Sequence, residues 1–263
     1  MKAKSFLALV IAAVATSIAN AQIALFNFGP LYTQNFDSLI SSGSATSLGI
    51  TGWSYFESGT PSTSTYAADA GGTATSSVYS YGSSGSGERA LGSNLSLAGA
   101  TLIFGAQFSN TGLQPMTFLK EFMYRAEQWR RGGTLTDRLD FQISTDATSL
   151  TTGTWVDFDA WDFISLQNSG TATSLDGNAV ANRTTVDGGV AGGGTLQLPS
   201  PVAAGGTFWM RWVDFNVSGV TAEHGLAIDN FQVRGIPEPS TFALCGVVLG
   251  FTGLGLFRRR KVA

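Results

Sequence analysis

Hydrophobic and polar positions along this chain follow a period of two more often than a helical period. Leu139, Phe141 and Ile143 alternate with Asp140, Gln142 and Ser144, the pattern of a strand with one buried face. Residues 207–216 are apolar on both faces (Phe208, Trp209, Met210, Trp212, Val213), which predicts a central strand. Residues 154–166 carry Trp155, Phe158, Trp161 and Phe163, aromatics that favour strands at a core edge. Residues 225–234 read as a final strand. Gly- and Ser-rich stretches at 41–47, 60–75 and 188–194 read as loops.

One segment is ambiguous. In residues 117–131, Phe118, Leu119, Phe122, Met123 and Ala126 have helical spacing, with Lys120, Glu121, Arg125 and Glu127 on the other side. The neighbouring segments favour a strand ending near Gln128, and the balance falls to strand. About ten to twelve strands then build an all-β fold, an antiparallel two-sheet sandwich.

The two ends break this pattern. Lys2 and Lys4 precede an apolar stretch, and Ala19-Asn20-Ala21 forms a small-x-small site, so residues 1–21 read as a signal peptide. At the other end, residues 242–257 carry no charge and are followed by Arg258, Arg259, Arg260 and Lys261. Sixteen helical residues span roughly 24 Å, slightly short of a hydrocarbon core, and flanking residues extend the reach. The basic cluster acts as a stop signal that stays in the cytoplasm, which places the preceding domain outside. Residues 22–235 remain as one β domain, and 236–263 form the tail.

The tail, with Pro237-Glu238-Pro239, an apolar segment and a terminal basic cluster in that order, resembles the PEP-CTERM sorting signal of Gram-negative bacteria. The resemblance covers about a tenth of the chain. It implies recognition by an exosortase, a membrane-embedded cysteine-protease-like enzyme, after export through the translocon and cleavage by signal peptidase. It further implies loss of the tail and delivery to the cell surface or extracellular polysaccharide matrix.

Processing changes the charge balance. The chain has 15 basic and 18 acidic residues, net −3, but six of the basic residues lie in the two terminal signals. The mature domain is strongly acidic, with Lys120 its only lysine, which argues against nucleic acid as a partner. Cys245 is the only cysteine and lies in the tail, so the mature domain has no disulfide. With one His and one Cys, a zinc site of the usual kind is excluded.

Segments around Glu88-Arg89-Ala90-Leu91-Gly92, Glu127-Gln128-Trp129-Arg130 and Ile228-Asp229-Asn230-Phe231 resemble jelly-roll or concanavalin-like lectin sandwiches. That resemblance implies a last strand lying near residues 32–36, and a glycan-binding module. Trp53, Tyr55, Trp129 and Trp161 are the candidate sugar-stacking aromatics. Calcium needs hard oxygen ligands, and Asp229 with Asp37 or Glu57 is the candidate set.

A non-enzymatic role is expected. His224 is the only imidazole and no Gly-x-Ser-x-Gly accompanies it. Glycoside hydrolysis stays as an alternative through some pair among Glu57, Glu88, Glu121, Glu127 and Asp157. No spacing selects the pair.

Overall fold

The computed structural model describes residues 22–60, 64–215 and 224–237. The expected signal peptide at 1–21, Glu238, Pro239, the uncharged run 242–257 expected to span the membrane and the basic cluster Arg258–Lys261 lie outside the described residues; Pro237 is the last residue of the final strand.

Seventeen strands are described. In chain order they are β1 (Ile23–Leu25), β2 (Tyr32–Gln34), β3 (Ser44–Ala45), β4 (Trp53–Ser58), β5 (Tyr66–Asp69), β6 (Ser77–Tyr81), β7 (Ala90–Asn94) and β8 (Thr101–Asn110). There follow β9 (Met116–Arg131), β10 (Arg138–Ser144), β11 (Val156–Asp157), β12 (Phe163–Ile164), β13 (Thr173–Ser174), β14 (Arg183–Val186), β15 (Gly194–Val202), β16 (Thr207–Phe215) and β17 (Gly225–Pro237). Among the described residues no helix is long and apolar enough to cross a membrane.

The strands form two sheets. The first has the order β1-β8-β16-β10-β11, with β4 also on β8 and β12 on β10. The second runs β13-β9-β17-β7-β6-β5-β3, with β14 and β15 on β9 and β2 on β17. The sheets are mixed rather than wholly antiparallel, because β1 pairs parallel with β8 and β5 parallel with β6. Both exceptions are short strands of three or four residues at the margins, reached by connections too long for a tight hairpin.

The expected strands hold their places. In β10, Leu139, Phe141 and Ile143 are fully buried. β16 lies between β8 and β10, as its two apolar faces require. Residues 154–166 supply the short strands β11 and β12 beside β10. β2 pairs with β17, Val233 opposite Tyr32 and Phe231 opposite Gln34, so the last strand lies beside residues 32–34, within the segment that the lectin-like pattern implied.

β9 resolves the ambiguous segment as a strand. Its neighbour β17 sets Gln232 opposite Met123 but Arg234 opposite Lys120, so β9 carries one extra residue there. Glu121 takes that place with φ +51°, the left-handed backbone of a bulge. The bulge shifts the inward set from Leu119 to Phe122, Tyr124 and Ala126, all fully buried. A strand with one inserted residue thus imitates the three-and-four spacing of a helix.

A second bulge lies on β17. Asp229 faces Arg125 and Gln232 faces Met123, and Asn230 at φ +47° is the additional residue. Ile228 and Phe231 both turn into the core, while Asp229 stays with Ala227 on the outer side of the sheet.

The core between the sheets is aromatic. Trp212 stacks on Trp53 and Phe104 at 6.0 Å and meets Tyr124 edge-on at 5.4 Å. Phe231 packs edge-on against Trp53, Trp212 and Phe122. Offset and edge-to-face contacts of this kind add about 0.5–1.5 kcal/mol each beyond the area they bury. Two buried polar ties also join the sheets: Ser93 Oγ of β7 donates to Asp214 of β16 at 2.7 Å, and Ser77 Oγ of β6 donates to Glu57 of β4 at 2.8 Å.

Candidate functional site

Two outward-facing regions carry chemistry. The first is an open groove of about 600 Å³ beside β4, lined by residues 46–57, Ser64 and Trp209. β4 alternates across the sheet, so Trp53 and Tyr55 turn inward while Ser54 and Phe56 turn outward. Phe56 is 37% exposed and Trp209 is buried on the same outer side, in a cluster with Ile103 and Leu150. Thr46, Ser47, Thr51, Ser54 and Ser64 add hydroxyls along the groove. An aromatic face among hydroxyls, next to a strand at the sheet margin, offers stacking and hydrogen bonding together.

Glu57 is the one carboxylate among the described lining residues, and it is engaged internally. It accepts from Val78 N, from Ser77 Oγ at 2.8 Å and from Thr60 Oγ1 at 3.4 Å. Burial raises its pKa and these hydrogen bonds oppose that rise.

The second region lies on the outer side of the other sheet. The carboxylates of Glu88, Glu127 and Asp229 converge there, one oxygen of each within 4.8 Å of the others. Glu127 is fully buried and Asp229 is 3% exposed. Trp129 Nε1 donates to Glu127 Oε2 at 3.0 Å, Asn178 donates to Glu88 Oε2, and Asn230 donates to Asp229 Oδ2. Glu127 Oε1 and Asp229 Oδ1 are buried without a hydrogen-bond partner. Burial pushes Glu127 up to about 8, with the charges of Asp229 and Glu88 adding to the rise. Burial likewise pushes Asp229 up to about 7, with Glu88 and Asp37 adding and Arg125 opposing.

A second acidic group, Asp140, Asp157 and Asp162, differs in having its own cation. Arg138 reaches Asp140 at 2.7 Å and Asp162 at 3.3 Å. Asp162 also accepts from Phe141 N at 2.8 Å.

The four aromatics expected to touch sugar are mostly core residues. Trp129 is buried to 1% exposure between Tyr81, stacked at 6.2 Å, and the backbone of Gly177. A Cβ on Gly177 would lie 2.3 Å from the indole, so only glycine closes over this ring. Trp161 packs edge-on to Phe122 at 4.8 Å, beneath Gly188 and Gly194. Trp53 is buried against Phe36, and its Nε1 donates to Tyr32 Oη at 2.9 Å. Tyr55 is half-buried in the groove wall, its hydroxyl donating to Ser64 O at 3.1 Å. Phe56, which sequence reasoning passed over, is the exposed aromatic of this strand; alternation from the bulky Trp53 would have pointed to it.

The expected calcium ligands divide. Asp229 and Asp37 lie in one neighbourhood, Asp37 accepting from Arg89 N at 3.2 Å. Glu57 lies apart from them, bound between β4 and β6. Glu88 and Glu127 take its place beside Asp229. They were legible only as acids, because residues 88, 127 and 229 meet through pairing of β7 and β9 with β17.

His224 is a structural residue. Its Nδ1 accepts from Gln128 Nε2 at 2.8 Å and from Gly132 N at 3.2 Å, which leaves the proton on Nε2, donated to Leu135 O at 2.7 Å. Burial lowers its pKa, so the neutral ring ties the 132–135 loop to β9.

A two-sheet, mixed β-sandwich with an open outer groove is the class these observations define. No family model matches the chain, and no curated protein matches it. Among solved structures, TmCBM61 in complex with β-1,4-galactotriose overlaps with a TM-score of 0.28 at 10% identity, covering 58% of this chain and 74% of that one. The K1 cleaved adhesin domain of Lys-gingipain from Porphyromonas gingivalis W83 overlaps at 0.30 and 11%, covering 78% of this chain and 98% of that one. The enzymatically active domain of tailspike protein 4 from bacteriophage CBA120 overlaps at 0.33 and 10%, covering 70% of this chain; the chain spans only 19% of that protein's length. The sandwich stands on its own strand order, and overlaps this low carry nothing about a ligand.

Proposed function

We propose that this protein is an extracytoplasmic β-sandwich that binds polysaccharide at the cell surface or in the extracellular matrix, in a structural rather than catalytic role. The observation that carries the binding reading is the open groove beside β4, where the half-exposed ring of Phe56 lies among the hydroxyls of Ser47, Thr51, Ser54 and Ser64. An extended chain of sugars meets there both an apolar face and hydrogen-bonding groups. Delivery rests on the terminal sequence. The Pro237-Glu238-Pro239 motif, the uncharged run 242–257 and the basic cluster Arg258–Lys261 suit an exosortase substrate that leaves the membrane after processing.

Hydrolysis is disfavoured in the groove, since acid–base displacement at a glycosidic bond needs two carboxylates and Glu57 is the one among the described lining residues. The carboxylates that do converge, Glu88, Glu127 and Asp229 in one group and Asp140, Asp157 and Asp162 in the other, do not line it. A glycan array with the protein and with Phe56→Ala tests the reading. Binding to one or more polysaccharides, weakened about tenfold by the substitution, is the expected result. Absence of binding to every polysaccharide, or binding indifferent to Phe56→Ala, overturns it.

A further inference from the structure

Three observations converge on the outer side of the β7-β17-β9 sheet. One oxygen from each of Glu88, Glu127 and Asp229 falls within 4.8 Å of the other two. Oxygens bound to one calcium ion at 2.3–2.6 Å stand no more than about 5 Å apart, so the spacing suits a shared ion. One oxygen of each carboxylate is also held by a neutral donor: Trp129 on Glu127, Asn178 on Glu88 and Asn230 on Asp229. Such donors fix the direction in which the remaining oxygen points.

The remaining oxygens of Glu127 and Asp229 are the decisive feature. Both are buried and neither has a hydrogen-bond partner. Leaving a buried carboxylate oxygen without a partner is costly. Arg125 acts on the group electrostatically, without a direct ion pair among the described residues. The other acidic group is already answered by Arg138 at 2.7 Å and 3.3 Å, so it lacks this deficit.

We infer that Glu88, Glu127 and Asp229 form a binding site for a hard divalent cation of the calcium type, which locks β7, β9 and β17 together. All ligand atoms are carboxylate oxygens, and such a set selects calcium, magnesium or manganese over softer metals. The bulge at Asn230 is what keeps Asp229 on the outer side while Phe231 re-enters the core. Thr and Ser hydroxyls of the groove take no part, so the cation site stands or falls independently of polysaccharide binding.

Trp129 supplies a built-in reporter, because its indole nitrogen lies 3.0 Å from Glu127 Oε2. Terbium(III), a luminescent calcium substitute, is titrated into the chelator-treated full chain with excitation through tryptophan. The expected result is a saturable signal displaced by calcium and weakened at least tenfold in affinity by Asp229→Asn. Calcium at a hundred times its dissociation constant raises the Tm by roughly 5–10 °C. Asp229→Asn loses that thermal shift along with the luminescence. No saturable signal together with equal Tm in calcium and in chelator overturns the site. So does a signal that survives Asp229→Asn but disappears with Asp162→Asn.

Discussion

Phe56 and Trp129 show how differently two aromatic side chains of this protein are used. Phe56 faces out of a marginal strand with 37% of its surface open, whereas Trp129 is sealed between Tyr81 and Gly177. Truncation should separate them. Trp129→Ala removes a buried ring and should cost about 3–5 kcal/mol in denaturant unfolding. Phe56→Ala should change stability by less than about 1 kcal/mol while weakening glycan binding. A reversal, with Phe56→Ala unfolding the protein and Trp129→Ala stable, contradicts the assignment. The tryptophans were visible in sequence as large apolar groups, but their exposure depends on covering segments such as Gly177 and Gly188 that composition marks only as loops. Glu88, Glu127 and Asp229 were each visible as acids, and their convergence was not, because 141 positions separate the first from the last.

At the scale of the strand, the alternating pattern carried most of the information. β10 and β16 follow from their residues because each is regular and its inward set is unbroken. β9 and β17 are harder to read because each contains a bulge, at Glu121 and Asn230, and one inserted residue changes which side faces the core. The parallel pairs β1-β8 and β5-β6 left no mark in short strands. A further feature of β16 makes a prediction. Asp214 is 3% exposed, with Ser93 on one oxygen, none on the other, and Asp137 close enough to raise it further. Burial lifts both carboxyls well above their ordinary range, Asp137 to about 7. The folded state therefore holds protons that the unfolded chain releases near pH 4. The contribution of the pair is fully present below that pH and is lost as pH rises through about 7, the value for Asp137. Melting temperature of the chelator-treated protein should fall across this interval, and Asp214→Asn should flatten the fall. A variant with the same pH slope as the unsubstituted protein rules out this pair as its source.

The whole molecule presents two outer surfaces on one aromatic core. One sheet carries the groove beside β4, and the other carries the acidic site over β7, β9 and β17. Polar ties through Ser93–Asp214 and Ser77–Glu57 join the two sheets across this core. The last strand ends at Pro237, the first residue of the Pro-Glu-Pro motif, so the sandwich runs directly into the proposed sorting sequence. The most direct test is retention of the purified protein on extracellular polysaccharide from the cells that produce it, measured by affinity electrophoresis for the unsubstituted protein and Phe56→Ala. The account predicts strong retardation of the first and about tenfold weaker retardation of the second. Free migration of both, or equal retardation, contradicts it.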